Sequence, residues 1–255
     1  MVLLASIYPV VTEPISFDDM MDAFAAARKY DMATVSQRLV EKFADSEVVQ
    51  DSPVKAFCVA YSRGLGEPAR IAAKASLKYR MSLNSIKDQL RYTNGPALYQ
   101  LYKFHRACSA TAAETVSESN RKLPWITQSD STWWHFASKN RFRGDCQCST
   151  PIQLYTLGSG PPYTEWIATS PWQNYIKRAH NVLLKHPCSE AVACHSITKP
   201  SYDEIMCVVC QKTIHGLQEF ARLLGEEVER RVSKVSIFLY IYLTYLAQCS
   251  YRSST

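Results

Sequence analysis

The sequence lacks an apolar run long enough to cross a bilayer. The most apolar stretch is Val235–Ala247, whereas a membrane-spanning helix needs about 20 such residues. A secretory signal is also missing, because Met1–Val11 has neither a basic start nor a small-residue cleavage pattern. We therefore expect no membrane partner and an intracellular location, in the cytoplasm or the nucleus.

A dense basic stripe is missing as well. The 29 basic and 23 acidic residues give a net charge of +6 that is spread along the chain. The segment 121–200 holds nine basic and four acidic residues without a clustered run. Nucleic-acid-binding proteins usually carry a denser basic surface than this. We therefore expect no nucleic-acid partner.

No sequence string places a nucleophile beside a base. The six histidines are scattered over the chain: His105, His135, His180, His186, His195 and His215. His105 lies on an apolar helical face, where a hydrogen-bonded core residue is commoner than a ligand. Although catalytic groups can also be assembled in space, the prediction is that the protein is not an enzyme.

Helical spacing dominates the first half of the chain. Apolar residues recur every three or four positions in Ser16–Tyr30 and Thr34–Phe43, which predicts two amphipathic helices. Ser16 and Asp19 have the spacing of a capping box at the start of the first helix. Residues 1–113 therefore predict an array of short antiparallel helices, and the predicted fold class is all-α.

Further helices are predicted from Ser52 onward. Ser52 is a predicted cap, Pro53 stands at the first helical position, Gly64 is a natural stop, and Pro68 and Pro96 can open the next two helices. The predicted buried faces are Val54, Phe57, Cys58 and Tyr61 in the first helix, Ala69, Ala72, Ala73 and Ser76 in the second, and Leu98, Leu101, Tyr102, His105 and Cys108 in the third.

The second half predicts a connector followed by a smaller helical region. Residues 114–164 have the composition of a linker and loops. Residues 165–255 predict an α-helical, loop-rich region, with one helix opening at Pro171 and a longer one from about Cys210 to Val235. The apolar stripe of that longer helix is Ile214, Leu217, Ala221, Leu224 and Val228. Because about three heptads are short for a coiled coil, packing within the domain is the favoured interpretation.

The tail has two open interpretations. Residues 236–248 lose the polar periodicity of the preceding helix and consist mainly of Ile, Leu and Tyr. They are either a last helix that covers exposed core, or sequence translated from an intron that the gene model retains. The second hypothesis rests on Val235-Ser236, which a splice-donor sequence can encode.

The nine cysteines suggest a metal site. Cys207 and Cys210 form a CxxC motif before a predicted helix, and Cys146 and Cys148 form a CxC motif in the preceding loop. Two thiolates separated by two residues can bind one zinc ion tetrahedrally, so these four cysteines are the candidate structural zinc ligands. The residues that can complete or replace a pair are Cys188, Cys194 and His195.

Two alternatives to a zinc site stay open for these cysteines. In a reducing compartment they can be plain buried thiols, since cysteine packs as a small apolar residue. A CxxC redox motif is the second alternative, although no βαβ pattern flanks it. No cofactor other than the possible structural zinc is predicted.

Several strings together resemble the large fungal, basidiomycete-type group of BTB/POZ-domain proteins. The resemblance covers about 1–113 and 165–235, and its strength is the order of the strings rather than any one of them. The strings are Ile7-Tyr8-Pro9-Val10, Ala26-Ala27-Arg28-Lys29-Tyr30-Asp31-Met32, Pro53-Val54-Lys55-Ala56-Phe57-Cys58, Gly64-Leu65-Gly66-Glu67-Pro68-Ala69-Arg70-Ile71-Ala72-Ala73, Tyr99-Gln100-Leu101-Tyr102-Lys103-Phe104-His105-Arg106-Ala107-Cys108 and Glu226-Glu227-Val228-Glu229-Arg230.

The resemblance implies a non-enzymatic protein–protein interaction module. Residues 1–44 would be the last helices of the BTB domain, and residues 53–110 the helical extension that follows it. The N-terminal half of the domain, with its sheet and dimer-forming helices, would be missing, so the chain would be a truncated adaptor. Implied partners are a cullin-type ubiquitin ligase or a transcription factor. The alternative is a zinc-stabilised module that binds protein or nucleic acid through its second half.

Overall fold

The structure is a computed structural model, and it describes residues 16–116, 125, 137–138, 167–168, 170–204 and 216–237. These residues are overwhelmingly helical, which confirms the predicted all-α class. A minimal antiparallel pairing also occurs among them, between strand β1, Ala137–Ser138, and strand β2, Ile167–Ala168. Ala137 lies opposite Ala168.

The chain divides into two compact units. Unit 1 comprises Met1–His105 with Ser236–Thr255, and unit 2 comprises Arg106–Val235. The boundaries predicted at residues 113 and 164 stay a prediction. Of the tail, only Ser236 and Ile237 fall within the described residues, and Ile237 is buried.

Unit 1 is a succession of short helices joined by tight turns. Its elements are α1 (Phe17–Lys29), α2 (Ala33–Ala44), α3 (Glu47–Asp51), α4 (Pro53–Ser62), α5 (Gly66–Ser76), α6 (Leu83–Ile86), a 3₁₀ helix (Lys87–Tyr92) and the start of α7 (Gly95–Ala113). The five longer α-helices match those predicted from apolar spacing. The short α3 and α6 were not predicted, because a single turn is too brief to show periodicity.

The two predicted caps differ in outcome. Ser16 caps α1, since its Oγ accepts the Asp19 N–H at 3.2 Å and donates to Asp19 Oδ2 at 2.7 Å. Ser52 holds the predicted N-cap position of α4, but its side chain makes no capping hydrogen bond. The physical reason is that Ser52 also ends α3, its backbone N–H bonding to Val48 O, while Pro53 presets the start of α4.

The core of unit 1 rests on a close contact between α4 and α5. Both helices present small side chains to each other, and those of Ala56, Ala60, Ala69, Ala72 and Ala73 are fully buried. Small residues let two helix backbones approach closely. The predicted small face of α5 is therefore confirmed.

The buried face of α7 departs from the prediction. It follows Ala97, Leu101, Phe104 and Cys108, whereas Tyr102 is half exposed. Helical spacing predicts Tyr102 on the buried face, because tyrosine is largely apolar. Its hydroxyl group favours contact with water at that position. The prediction for His105 is confirmed, since the buried ring places Nε2 at 3.1 Å from the Tyr79 carbonyl oxygen.

Helices α1 and α4 end in the same hydrogen-bonding motif. After α4, Gly64 has φ 69°, and the Leu65 N–H bonds to Ala60 O at 2.9 Å. After α1, Asp31 takes the equivalent left-handed position at φ 52°, and the Met32 N–H bonds to Ala27 O at 2.8 Å. Both are Schellman ends, which usually carry glycine. The predicted stop at Gly64 is confirmed.

We predict that Asp31→Gly stabilises the protein. A left-handed conformation costs an L-residue about 1–2 kcal/mol, and glycine is exempt, although its greater entropy in the unfolded chain offsets part of the gain. The expected rise in the free energy of unfolding is about 0.5 kcal/mol, measured by chemical denaturation. Gly64→Ala is the matched control and should lower the same quantity by about 1 kcal/mol. A loss of stability in Asp31→Gly would contradict this account.

Unit 2 is built around one phenylalanine. Its helices are a 3₁₀ turn (Glu114–Val116), α8 (Ser170–Leu183), α9 (Ser189–Ala193), α10 (His195–Asp203) and α11 (Gly216–Val232), with the end of α7. The ring centroid of Phe220 lies 5.8 Å from that of Trp125, 5.5 Å from Trp172 and 5.9 Å from Tyr175. The helix predicted to start at Pro171 is confirmed.

The favoured interpretation of the last long helix is confirmed for its described part. Leu217, Ala221, Leu224 and Val228 are all buried within unit 2. Ile214 lies outside the described residues.

No helix in the described ranges is both long enough and apolar enough to span a bilayer.

A buried carboxylate closes α11. Glu227 Oε2 accepts from Arg230 Nε at 2.6 Å, and Glu227 Oε1 accepts from Arg231 Nε at 2.6 Å. Burial by itself would raise the pKa of Glu227, but the hydrogen bonds from both arginines outweigh it and hold the pKa below its ordinary value. These pairs therefore stabilise the fold above the unfolded-state pKa of the carboxyl, and the contribution is lost as pH falls through the lowered folded-state pKa.

Gly225 permits the close approach of α9 to α11. A Cβ atom at Gly225 would lie 3.2 Å from the backbone oxygen of Ser189 and 3.4 Å from its Cβ. At Gly95, by contrast, an added Cβ atom would have no other atom within 4 Å. An added Cβ atom at Gly225 would therefore be tighter against Ser189 than an ordinary contact, whereas at Gly95 it would lie in open space.

We predict that Gly225→Val destabilises the protein by overpacking. The expected loss in the free energy of unfolding is about 1–3 kcal/mol, measured by urea denaturation. The same substitution at Gly95 adds its side chain in open space, and its effect should stay within about 0.5 kcal/mol. Equal effects at the two glycines would show that helix propensity, rather than the contact with Ser189, sets the outcome.

Candidate functional site

The four predicted zinc ligands, Cys146, Cys148, Cys207 and Cys210, lie outside the described residues. Within the described residues, no three or more His, Cys, Asp or Glu side chains are grouped so that they can hold a metal ion. Cys188, Cys194 and His195 do not form such a group by themselves.

The described cysteines have contrasting environments. Burial raises the pKa of the Cys58 thiol to about 12, which makes it an inert core residue. Cys194 is exposed at the start of α10, where hydrogen bonds from the side chain and the backbone of Ser196 lower the pKa of its thiol. Cys108 and Cys188 are buried.

The exposed aromatic side chains are concentrated in unit 1. Among the described residues six large apolar or aromatic side chains are strongly exposed, and five of them are tyrosines of this unit. They are Tyr30, Tyr79, Tyr92, Tyr99 and Tyr102. Tyrosine is enriched at protein–protein interfaces, because one side chain offers a large apolar ring and a hydroxyl group.

Tyr92 is the centre of a cluster of cations and rings. Lys55 Nζ lies 4.3 Å from the centroid of the Tyr92 ring and 5.5 Å from that of Phe17. The guanidinium carbon of Arg91 lies 4.7 Å from the same Tyr92 centroid. We name these residues with Gln89 the Tyr92 cluster. Each cation is within the distance at which a ring quadrupole attracts a positive charge, worth about 0.5–1 kcal/mol at an exposed site.

Hydrogen bonds hold the 3₁₀ helix of this cluster in place. Gln89 Oε1 accepts the backbone N–H of Lys55 at 3.1 Å, which ties the 3₁₀ helix to the first turn of α4. At the other end, Thr93 Oγ1 donates to Leu90 O at 2.7 Å. Asn94 then caps α7, its Oδ1 accepting from Ala97 N at 2.7 Å. The Tyr92 ring is therefore presented by a braced segment rather than by a free loop.

Among the described residues, the cations of this region have no acidic counterpart. In the part of the chain that the structure describes, no carboxylate oxygen lies within 4.0 Å of the side-chain nitrogens of Lys55, Lys87 or Arg91. The other arginines of unit 1 include two with carboxylate partners, Arg63 with Asp22 and Arg70 with Glu67. The Tyr92 cluster thus presents positive charge that no carboxylate of the described residues neutralises.

The charge of unit 1 is divided along the chain. Residues 16–51 hold eight acidic and four basic residues, whereas residues 52–105 hold nine basic and two acidic residues. Residues 52–105 contain no contiguous basic run, because their basic residues are spaced apart along the chain. The division of charge is therefore not evident from basic runs, nor from the charge of residues 121–200. A count over residues 52–105 reveals the basic region, although not the rings on which its cations lie.

Two of the described histidines, His105 and His180, have structural roles, because a ring nitrogen of each lies within hydrogen-bonding distance of a backbone carbonyl oxygen. His180 Nδ1 lies 3.2 Å from the Ala113 carbonyl oxygen, much as His105 lies against that of Tyr79. A second polar group in unit 2 is also structural: Arg178 bonds to Ile197 O, Ser201 Oγ and Glu204 Oε1, and so joins α8 to α10.

Comparison with known proteins gives no relative. No family model, no curated protein and no solved structure matches the chain. Function must therefore be inferred from the chemistry of the surface just described.

The zinc hypothesis predicts bound metal in the purified protein. If the CxC and CxxC motifs bind zinc, metal analysis should give one zinc ion per chain, and a chelator should lower the melting temperature. Cys207→Ser with Cys210→Ser should abolish zinc binding, whereas Cys194→Ser should retain it. Absence of zinc together with an unchanged melting temperature in chelator contradicts the hypothesis, and zinc loss in Cys194→Ser would place Cys194 in the site.

Proposed function

We propose that the protein is a non-enzymatic interaction module of the BTB/POZ type, and that the Tyr92 cluster binds an acidic segment of a protein partner. The observation that carries the proposal is the pair of cations, Lys55 and Arg91, set on one tyrosine ring without a carboxylate from the described chain. An aspartate or glutamate of a partner supplies the missing charge.

The geometry favours a peptide carboxylate over a simple counterion. The guanidinium of Arg91 can bind a carboxylate through two parallel hydrogen bonds. The Tyr92 ring, 39% exposed, offers an apolar surface beside it for the methylene groups of the same side chain. A partner segment that alternates acidic and apolar residues therefore fits better than acidity alone.

The acidic half of unit 1 limits which partners are accepted. Residues 16–51 carry a net negative charge, so a strongly acidic segment is repelled there and attracted near residues 52–105. Such a division of charge orients an approaching partner and speeds its association. It also disfavours highly basic partners near residues 52–105.

The family resemblance adds candidate partner classes to this chemistry. In the resemblance, residues 53–110 correspond to the helical extension after a BTB domain, and that stretch contains Lys55, Arg91 and Tyr92. A cullin-type ubiquitin ligase and a transcription factor are the partners that the resemblance supports. In this proposal the acidic segment belongs to one of them.

We predict salt-sensitive binding of acidic peptides. The probe is a fluorescein-labelled peptide of alternating Glu and Leu, and the reference peptide has Gln in place of Glu. Fluorescence polarisation should show binding of the first peptide, weakening as NaCl is raised, because surface charges are screened. Lys55→Glu with Arg91→Glu, which reverses both cations of the Tyr92 cluster, should weaken binding by about tenfold or more.

The matched control changes the same net charge elsewhere on unit 1. Lys29→Glu with Lys42→Glu reverses two exposed lysines of the acidic half and should leave the affinity within about twofold. Thermal melts establish that both double variants are folded. Equal weakening in the two variants would show a non-specific charge effect, and absence of binding to the acidic peptide would contradict the proposal.

A further inference from the structure

The end of α11 carries a sequence pattern that the proposed function does not use. Arg230 and Arg231 stand three and two residues before Ser233, which follows the last helical residue, Val232. Ser233 is exposed. Its Oγ donates to Arg230 O at 3.0 Å, and its N–H bonds to Glu229 O at 2.9 Å.

We propose that Ser233 is a phosphorylation site for a serine kinase with an acidic substrate groove. Arginine is the preferred partner of carboxylates, because its planar guanidinium forms two parallel hydrogen bonds. Kinases choose substrates by such charge patterns. Two arginines at fixed positions before an exposed hydroxyl group supply the pattern that an acidic groove selects.

The reaction is an ordinary phosphoryl transfer from ATP. Ser233 Oγ attacks the γ-phosphorus, and a new oxygen–phosphorus bond forms. The bond from the γ-phosphorus to the β–γ bridging oxygen breaks, and ADP leaves. The hydroxyl proton passes to the catalytic aspartate of the kinase. The product is a phosphoserine and no redox partner is required.

Opening of the site requires fraying of the helix end and release of Arg230 and Arg231 from Glu227. Ser233 belongs to the terminal turn, where backbone hydrogen bonds fray most easily. The bonds that must open are those at the helix end, such as Ser233 N to Glu229 O and Val235 N to Val232 O at 3.0 Å. The Arg230 side chain is already 54% exposed and so reachable by a kinase.

The phosphate would act on a buried ion pair. Glu227, whose side chain is 8% exposed, binds both arginines. A phosphoserine carries about −1.5 to −2 charges at neutral pH, and at a helix C-terminus it meets the negative end of the helix dipole. It would also compete with Glu227 for Arg230 and Arg231. Since a buried carboxylate that loses its cations is strongly destabilising, phosphorylation should loosen the end of α11.

The test uses the purified full chain, ATP and a serine kinase selective for arginine at these two positions. Tandem mass spectrometry should locate a phosphate on Ser233. Ser233→Ala should lose that phosphate, whereas Ser236→Ala, three residues further on, should keep it. Phosphorylation should also lower the melting temperature of the wild-type chain and leave that of Ser233→Ala unchanged.

Replacing the two arginines by lysine tests recognition by the kinase while keeping two positive charges beside Glu227. Arg230→Lys with Arg231→Lys keeps two cations beside the carboxylate but loses the bidentate geometry, so phosphorylation should slow by about tenfold. Circular dichroism establishes that this variant is folded. The proposal is overturned if the folded chain is not phosphorylated at Ser233 while a free peptide of residues 226–240 is, or if the melting temperature does not change.

Discussion

Unit 1 depends on the contact between the small faces of α4 and α5. Helices of ten and eleven residues are marginal on their own and gain their stability from packing. Alanine at Ala60 and Ala72 lets the two backbones approach closely, and Cys58 and Phe57 fill the space beside them. A larger side chain at either alanine would separate the helices and expose apolar surface along their whole length.

The geometry of the Tyr92 cluster depends on the contact between α4 and α5. The first turn of α4 carries Lys55, whose backbone N–H binds Gln89 of the 3₁₀ helix. The chain reaches this 3₁₀ helix from α5 through the buried Leu77 and Ile86. The ring of Tyr92 is therefore positioned by a helix pair that packs through buried alanines, and α4 of that pair also carries Lys55.

The sequence predicted those features that a few neighbouring residues determine. The cap at Ser16, the stop at Gly64 and the small face of α5 each follow from local chemistry, and each is confirmed. Ser52 takes the predicted N-cap position without a side-chain hydrogen bond, and the prediction for Tyr102 is wrong, because the contacts of both residues depend on what lies next to them in space. Ser52 serves the end of α3, and Tyr102 faces water although its spacing fits the buried stripe.

The Tyr92 cluster could not be predicted from the sequence, because its residues come together only in the folded chain. Lys55 and Tyr92 are far apart in sequence, and no periodicity relates them, so only the fold reveals that the ammonium group lies over the ring. Charge counting over residues 52–105 would have indicated a basic region. It would not have distinguished cations already paired, such as Arg70 with Glu67, from those facing aromatic rings.

That distinction separates Arg91 from the carboxylate-paired arginines of both units. In unit 2, Arg178 binds Glu204, Arg222 binds Glu219, and Arg230 binds Glu227, so each guanidinium stabilises the fold. In unit 1, the guanidinium of Arg91 lies over the ring of Tyr92, and no carboxylate of the described residues pairs with it. An aromatic ring attracts a guanidinium without occupying the N–H donors of that guanidinium, whereas a carboxylate occupies them. In the proposed function, the neighbour of an arginine thus separates a structural role from recognition, and a phosphate on Ser233 would change that neighbour for Arg230.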